Sequence, residues 1–352
     1  MKAVCFQAVE EVACRDREDP VVIDGRDAVV RVTLAGLCGS DLHPFFGRES
    51  GLEPGTVMGH EMVGEVVELG DEAQSGGTIA VGDRVFAPFS TNCGKCYYCQ
   101  HGLSSRCASG QLFGWVENGA GLEGCQSEYV RVPLADATLM KMPAGLTDED
   151  ALLLGDNFST GYYSADMAEV KPGGVYVVIG CGTVGQLCIV AAIGMGAEQI
   201  FALDPVEDRR RQAEELGAIG LPPDEAAIKQ VFAASEGRGA DAVMELVGLP
   251  AAQKLAYQCV RPGGILSVIG CHCTPNFAFS PVDAYDKNLS YRTGRCPAGH
   301  YMRLLSDRVV NGEFDLSRFV THRFDVADAS RAYDLFSKRS EGCLKAVFEF
   351  NR

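Results

Sequence analysis

The chain has 352 residues, 47% of them apolar and 22% charged. That is enough apolar material for a packed core, which excludes global disorder, and the length suits two domains. Lys and Arg total 31 against 47 Asp and Glu, a formal net charge of −16. Such a surface repels phosphate backbones and anionic lipid headgroups, so neither nucleic acid nor membrane is expected as a partner. Arg209, Arg210 and Arg211 form the only basic triplet and sit among acids.

Fifteen cysteines are too few for a disulfide scaffold of this length and more than packing requires. They point to a reducing, cytoplasmic compartment, with metal or thiolate chemistry for some of them. Met1 to Glu11 lacks the basic, apolar and small-residue pattern of a secretory signal.

In chain order, Ala28 to Leu34 and Met62 to Leu69 are valine-rich strand runs set off by Gly, Pro and Asp. Arg84-Val85-Phe86-Ala87 is a short strand stopped by Pro88. Helical periodicity is nearly absent until Thr147-Asp148-Glu149-Asp150, a helix start leading into Ala151 to Leu154. After Pro172-Gly173-Gly174 the grammar changes to strand, glycine loop and helix. Glu198 to Asp204 reads as a second strand, Glu207 to Leu216 as a charged helix closed by Gly217, and Ala242 to Val247 and Ile265 to Ile269 as further strands. This alternation predicts a parallel sheet covered by helices on both faces.

Val175 to Ala197 is apolar enough and long enough for a bilayer span. Its glycines, three of them spaced G-x-G-x-x-G, favour a buried strand turning into a buried helix instead. Toward the end, Tyr301 to Asn311 reads as a helix and Phe319 to Phe324 as a strand. Asp328 to Lys338 is an amphipathic helix with Ala329, Ala332, Leu335 and Phe336 on one stripe, and Lys345 to Phe350 alternates like a strand returning to the first domain. The bounds drawn from this are 1–154 with a cysteine lobe over 90–110, then 155–288, then a return over 289–352.

Cys93, Cys96, Cys99 and Cys107 follow C-x2-C-x2-C-x7-C. Four thiolates on one short excursion complete a tetrahedral zinc site with no place left for water, the mark of a structural metal. An iron–sulfur cluster and unliganded thiols are the rivals. A second, dispersed group comprises Cys38, in Gly36-Leu37-Cys38-Gly39-Ser40-Asp41-Leu42-His43, and His60, in Gly59-His60-Glu61. Each sits at the end of a β-prone run beside an acid or hydroxyl. Buried packing is the plain alternative for each; a catalytic zinc would need a third protein ligand from farther along.

Gly180-Cys181-Gly182-Thr183-Val184-Gly185 follows a strand, and Asp204 ends the next strand 19 residues past Gly185. That context makes the loop a dinucleotide site: Gly180 for the turn, Gly182 for close approach to the pyrophosphate, Gly185 for helix–sheet packing. The phosphates would lie on the helix N-terminus at Thr183 and Val184. Asp204 would accept both ribose hydroxyls and repel a 2′-phosphate, favouring NAD over NADP, while Arg209 would pack on adenine or soften that preference.

Together with Gly59-His60-Glu61-x-x-Gly64-x-Val66-x-Glu68-x-Gly70 and Val81-Gly82-Asp83-Arg84-Val85, these motifs resemble those of zinc-dependent medium-chain dehydrogenases/reductases, the alcohol, polyol and threonine dehydrogenases. The likeness runs over essentially the whole chain. It implies an α/β protein: a GroES-like β-barrel catalytic domain interrupted by a doubly wound Rossmann nucleotide-binding domain. It also implies NAD and two Zn²⁺ per chain, one catalytic and one structural. Cys38 and His60 match the first two catalytic zinc ligands. Where relatives often carry a cysteine, Gly155-Asp156-Asn157-Phe158-Ser159-Thr160-Gly161-Tyr162 offers Asp156, the same charge with a harder oxygen.

By the same resemblance Glu61 matches an acid behind the metal that can approach it, and Ser40 and His43 match a proton relay. Asp41 would brace His60 or the loop backbone. Thr160 matches a residue packed behind the nicotinamide, Cys271 follows a sheet strand beside it, and Arg295 matches an arginine that clamps the pyrophosphate. The expected reaction is reversible hydride transfer between a primary or secondary alcohol and NAD⁺, giving an aldehyde or ketone. Phe46, Trp115 and Phe158 would favour an apolar substrate pocket. Polyol or threonine-type oxidation is the first alternative and a zinc-free quinone reductase the second. The resemblance further implies a homodimer or homotetramer.

Overall fold

The structure, a computed structural model, describes residues 1–350. Asn351 and Arg352, the end of the expected 289–352 return, lie outside the described residues. The chain divides into two compact units, one formed by Met1–Asp156 with the segment from Pro297 onward, the other by Asn157–Cys296.

The first unit is built on a mixed sheet. Its strand order is Val320–Asp325, Lys345–Glu349, Ala28–Leu37, Met62–Leu69, Arg84–Phe86, Met140–Lys141, with Tyr129–Val132 also paired to Ala28–Leu37. The long strand Ala28–Leu37 organises it, because three other strands pair antiparallel to it. Two apolar cores flank it. Ala28, Val30, Val32, Met62, Val66, Val85 and Val130 fill one. Leu37, Phe45, Met58, Ala346 and Phe348 meet the helix Ala329–Lys338 in the other, through Ala329, Ala332, Tyr333, Leu335 and Phe336. The chain's last strand, Lys345–Glu349, thus lies inside the sheet that its first third begins. A hairpin, Lys2–Ala8 with Glu11–Asp16, is an element that the runs beginning at Ala28 did not anticipate.

The second unit is a six-stranded, all-parallel sheet in the order Ile219–Leu221, Gln199–Leu203, Val175–Ile179, Ala240–Glu245, Val260–Val268, Ser290–Thr293. Chain order reverses direction across Val175–Ile179, which creates the switch point where such sheets bind ligands at their carboxyl ends. Helices Glu225–Ala234 and Pro250–Cys259 also cover this sheet. They bury Ala227, Val231, Ala252 and Ala256, with Ile228 and Leu255 packed against the same core. Ser290–Thr293 lies in this sheet, beyond the 288/289 boundary drawn from the sequence. It is a polar edge strand and lacks the continuous apolar run of its inner neighbours. The apolar stretch from Val175 is the strand Val175–Ile179 followed by the helix Thr183–Gly194. Among the described residues no helix is long and apolar enough to cross a membrane.

Candidate metal centres and nucleotide loop

Three elements of the first unit end at one point. Cys38 follows the strand Ala28–Leu37 and opens the turn Gly39–Asp41. His60 lies two residues before Met62–Leu69, and the register that sets Ala35 opposite Met62 brings the two strand ends together. Asp156 terminates the helix Asp148–Gly155, whose start is fixed by a Thr147 hydroxyl accepting from the Asp150 N–H at 3.1 Å. As a result Asp156 Oδ2 lies 3.5 Å from Cys38 Sγ and 3.5 Å from His60 Nε2. With a Glu61 oxygen these ligand atoms all fall within 4.8 Å of one another.

This donor set fits zinc. Bonds of about 2.0–2.3 Å to sulfur, nitrogen and oxygen put neighbouring tetrahedral corners about 3.5 Å apart, the separation seen here. The orientation of the His60 ring is also defined. His60 Nδ1 lies 3.1 Å from Asp41 Oδ1, so Nε2 is the nitrogen turned to the cluster. Asp41 Oδ2 accepts the Cys38 backbone N–H at 2.9 Å, so one buried carboxylate orients two ligand-bearing residues. Burial and the Asp156 carboxylate push the Cys38 thiol above its ordinary range. Burial opposes the charge on His60, yet Asp41 and Asp156 outweigh it and hold the imidazole well above its usual value. Negative groups concentrated in this way are what a divalent cation satisfies.

Glu61 is turned toward Lys345, whose Nζ donates to its Oε2 and to the Leu37 carbonyl at 3.2 Å. Lys345 carries no signal in the sequence beyond being a lysine in an otherwise apolar strand. Ser40 Oγ lies 3.2 Å from His60 Nε2, and His43 is buried one turn further on, in the helix Leu42–Phe45. Phe46 and Trp115 both pack, partly buried, against the core that contains Phe45 and Tyr333.

The four lobe cysteines also converge, their sulfurs within 4.8 Å of one another. The short helix Tyr97–Gln100 begins directly after Cys96. Backbone N–H groups at Cys99 and Ala108 draw the Cys96 thiol down to about 6, so thiolate is already favoured there.

In the second unit, Gly180 takes a left-handed φ of +91° at the end of Val175–Ile179, and a Cβ at Gly185 would run into the Gly180 carbonyl. Gly182 caps the helix Thr183–Gly194, with the Arg209 guanidinium beside it. Asp204 Oδ2 accepts the Cys181 N–H and Oδ1 accepts the Val206 N–H, each at 2.8 Å. The same carboxylate that faces the loop therefore also holds its shape. Cys271 and Arg295 follow the carboxyl ends of Val260–Val268 and Ser290–Thr293, the sheet edge that also carries Gly180. Thr160 lies in the helix Asn157–Met167, which comes close to the Thr183–Gly194 helix at Gly161. Phe158, expected in a pocket wall, is instead fully buried and edge-on to Tyr162. Its helix turns it into the packing, so it offers no accessible face. Glu245, also unanticipated, is a buried acid that binds the Val247 and Gly248 N–H groups at 2.8 and 2.9 Å and lies 3.1 Å from His272 Nε2.

A mixed-sheet unit with two metal-ligand clusters and a parallel-sheet unit with a dinucleotide loop define a metal-binding dehydrogenase. The chain belongs to the zinc-dependent medium-chain dehydrogenase/reductase family. Residues 24–144 match the alcohol dehydrogenase GroES-like domain and residues 183–309 match the zinc-binding dehydrogenase domain. It is 44% identical over 298 residues to a medium chain reductase/dehydrogenase of Acremonium sp, covering 81% of this chain and 98% of that one. It is 38% identical over 349 residues to zinc-type alcohol dehydrogenase B of Aspergillus flavus, covering 96% of this chain and 79% of that one. Among solved structures, an alcohol dehydrogenase from Thermus sp. ATN1 superimposes with a TM-score of 0.94 at 35% identity, covering 100% of both chains.

Proposed function

We propose that this protein is a zinc-dependent alcohol dehydrogenase that moves hydride reversibly between a primary or secondary alcohol and NAD⁺. The observation that carries the reading is the convergence of Cys38 Sγ, His60 Nε2 and Asp156 Oδ2 at zinc-ligand spacing. When bound, zinc supplies Lewis acidity that lowers an alcohol's pKa, and NAD⁺ supplies the hydride acceptor. Cys38, His60 and Asp156 would hold the catalytic zinc, and Cys93, Cys96, Cys99 and Cys107 the structural one. Asp41 keeps the His60 ring in the tautomer that presents Nε2. Ser40, within hydrogen-bond reach of that nitrogen, is placed to take up the proton an alcohol gives up, with His43 next in the relay.

On the nucleotide side, the Gly182–Gly185 turn would take the pyrophosphate on the N-terminus of Thr183–Gly194, and Asp204 would favour NAD over NADP. Thr160, Cys271 and Arg295 would line the nicotinamide and phosphate ends, and Phe46 and Trp115 an apolar substrate pocket. The ligand thiols must stay reduced, which supports a cytoplasmic location. The edge strand Ser290–Thr293, against which Phe277 packs through Tyr291, supports a homo-oligomer.

The test is a substrate panel on zinc-loaded enzyme with both nicotinamides, run beside Asp156→Ala and Asp148→Ala. Benzyl alcohol or cyclohexanol with NAD⁺ should outperform sorbitol and threonine. Asp156→Ala should lose at least about 100-fold in kcat/KM and one zinc per chain, and Asp148→Ala neither. Equal losses would remove the metal assignment, and preference for sorbitol or threonine would reassign the substrate.

A further inference from the structure

The hydrogen bonds that fix Asp41 do not stop at Asp41. Gln126 Nε2 donates to the Gly36 carbonyl at 3.0 Å and lies 3.4 Å from Asp41 Oδ2. Its other amide atom, Oε1, accepts from the Tyr333 hydroxyl at 2.9 Å. Gln126 and Tyr333 are both 0% exposed. Tyr333 comes from the amphipathic helix Ala329–Lys338, 207 residues from Gln126. From these contacts we infer that Gln126 and Tyr333 are outer positioning residues for the metal site, setting Asp41 and through it the Cys38 backbone and the His60 imidazole. This rests on the proposal that Cys38, His60 and Asp156 hold the catalytic zinc.

The direction of each bond follows from the donor inventory. The Gly36 carbonyl and the Asp41 carboxylate are both acceptors, so the amide must present its NH₂ to them; the flipped amide would set oxygen against two oxygens. Oε1 is then left pointing at the C-terminal helix, and the Tyr333 hydroxyl is its donor. Burial, with the Asp41 charge nearby, pushes the Tyr333 phenol well above its ordinary range, so it keeps that proton.

The backbone has been shaped to admit Gln126. A Cβ on Gly59, the residue before His60, would meet Gln126 Cγ, Cδ and Nε2 at under 3 Å. The amide therefore lies flat against the chain that carries His60. Gln126 also donates its backbone N–H to the Met58 carbonyl at 2.9 Å, and the Cys125 N–H bonds the Gly59 carbonyl at 3.0 Å. Tyr333 makes a second contact of the same sense. Its ring packs on Phe45 with centroids 5.4 Å apart, and Phe45 ends the short helix that follows Asp41. One side chain thus supports the Cys38–Phe45 segment through its ring and the His60 segment through Gln126.

Removing the Tyr333 hydroxyl would leave a buried acceptor without its donor and free the amide to rotate, withdrawing an N–H from the Asp41 side. Asp41 would still reach His60 and the Cys38 N–H, so the ligands remain but are held less firmly. Outer partners of metal ligands commonly cost about 10- to 100-fold in metal affinity, and a link one step further out is expected to cost about 3- to 30-fold.

The experiment compares wild type, Tyr333→Phe, Gln126→Met and Phe336→Leu, each prepared with Co²⁺ at the Cys38 site and Zn²⁺ in the cysteine lobe. Phe336 is a buried neighbour on the same helix and core, so its variant reports simple loss of packing. The readouts are the cobalt d–d absorption bands and the rate at which a chelator strips cobalt under native conditions, alongside urea unfolding. Tyr333→Phe and Gln126→Met should shift the bands and speed cobalt loss about 3- to 30-fold, while Phe336→Leu lowers stability and does neither. Bands and release rates matching those of Phe336→Leu would overturn the inference. Tyr333→Phe deletes a single oxygen and decides the matter even if Gln126→Met fails to fold. Should wild type itself take up no metal beyond the cysteine lobe, the zinc reading falls and this inference with it.

Discussion

Lys345 and Glu61 form an ion pair sealed inside the mixed sheet, at 1% and 0% exposure. Burial works against the ammonium, but the Glu61 carboxylate and the Cys38 sulfur behind it outweigh that and hold Lys345 above the ordinary lysine range. The pair joins the strand Lys345–Glu349 to the residue beside His60. Its position leaves Glu61 among the metal-ligand atoms yet tied to a cation from the other end of the chain. Gly36 lies against both partners, where a Cβ would strike the Glu61 carboxylate.

Breaking that pair from one side should be costly. Lys345→Met leaves a buried carboxylate uncompensated, and a loss of about 3–5 kcal/mol is expected. Lys345→Met combined with Glu61→Gln should recover most of it, since both charges are then gone. Urea unfolding of the two variants and wild type measures this. A double variant no better than Lys345→Met would mean that the pair is not the origin of the cost.

The cysteine lobe should behave as a separable metal clasp. Cys99→Ser removes one of four thiolates and is expected to lower zinc content by one per chain while leaving metal at the Cys38 cluster. Limited proteolysis should then cut within 94–107, where the backbone is otherwise held by the four ligands. Zinc analysis before and after chelation, with mass mapping of the nicks, reads both effects. Loss of both zincs together would show that the two sites are not independent.

Acid sensitivity should arise partly at Asp241. Its Oδ2 accepts the Val175 N–H at 2.9 Å and its Oδ1 accepts from Arg261 Nε at 2.8 Å. Burial pushes its pKa up, but these two donors win and the carboxyl stays below its ordinary range. A folded pKa below the unfolded one stabilises the fold above the unfolded pKa, and that stability drains away as pH falls through the folded pKa. Asp241→Asn should therefore cost about 1 kcal/mol near neutrality and show a smaller loss between roughly pH 5 and pH 3. Stability measured against pH for both proteins checks the sign. Parallel curves would exclude Asp241 as a contributor.

Cofactor choice should turn on Asp204. Its carboxylate is already shared between the Cys181 and Val206 N–H groups, so it would meet a ribose from a fixed position. Asp204→Asn keeps an acceptor and removes the charge that would repel a 2′-phosphate. The ratio of kcat/KM for NADP to that for NAD should rise about tenfold, a change of about 1.4 kcal/mol. An unchanged ratio would place the discrimination elsewhere.

How much of this was legible in the sequence depends on how local each signal is. The cysteine lobe closes within 15 residues and the glycine loop within 6, so spacing, with the flanking strands for the loop, carries their chemistry. Cys38, His60 and Asp156 are spread over 118 residues; the residues themselves pair Cys38 with His60, but only the family resemblance adds Asp156, because register rather than spacing brings the three together. Lys345, Gln126 and Tyr333 gave no signal at all. A buried glutamine or tyrosine looks like any core polar residue until its partner is known, and Tyr333 stands beside the apolar stripe of Ala329, Ala332, Leu335 and Phe336 without any mark of its own. Phe158 shows the opposite limit: an aromatic two residues from Asp156 suggests a pocket wall, while its helix turns it into the packing.

The parallel sheet ends at Ser290–Thr293 with no further strand paired beyond it among the described residues. Phe277, and Val282 and Tyr285 in the segment that leads into this strand, are 64%, 66% and 83% exposed. Phe277 stacks edge-on to Tyr291 of the edge strand at 5.3 Å, so apolar surface and unsatisfied strand groups lie together. Such a combination is costly to leave in water. Phe277→Asp with Tyr285→Asp should shift sedimentation of the zinc-loaded protein from an oligomer to a 37.6 kDa monomer, because a charge buried without a partner opposes association. Zinc content should stay at the wild-type value, since neither residue belongs to the unit that holds the Cys38–His60–Asp156 cluster and the four-cysteine lobe. If wild type sediments as a monomer, or the double variant keeps the wild-type size, this edge does not carry the assembly.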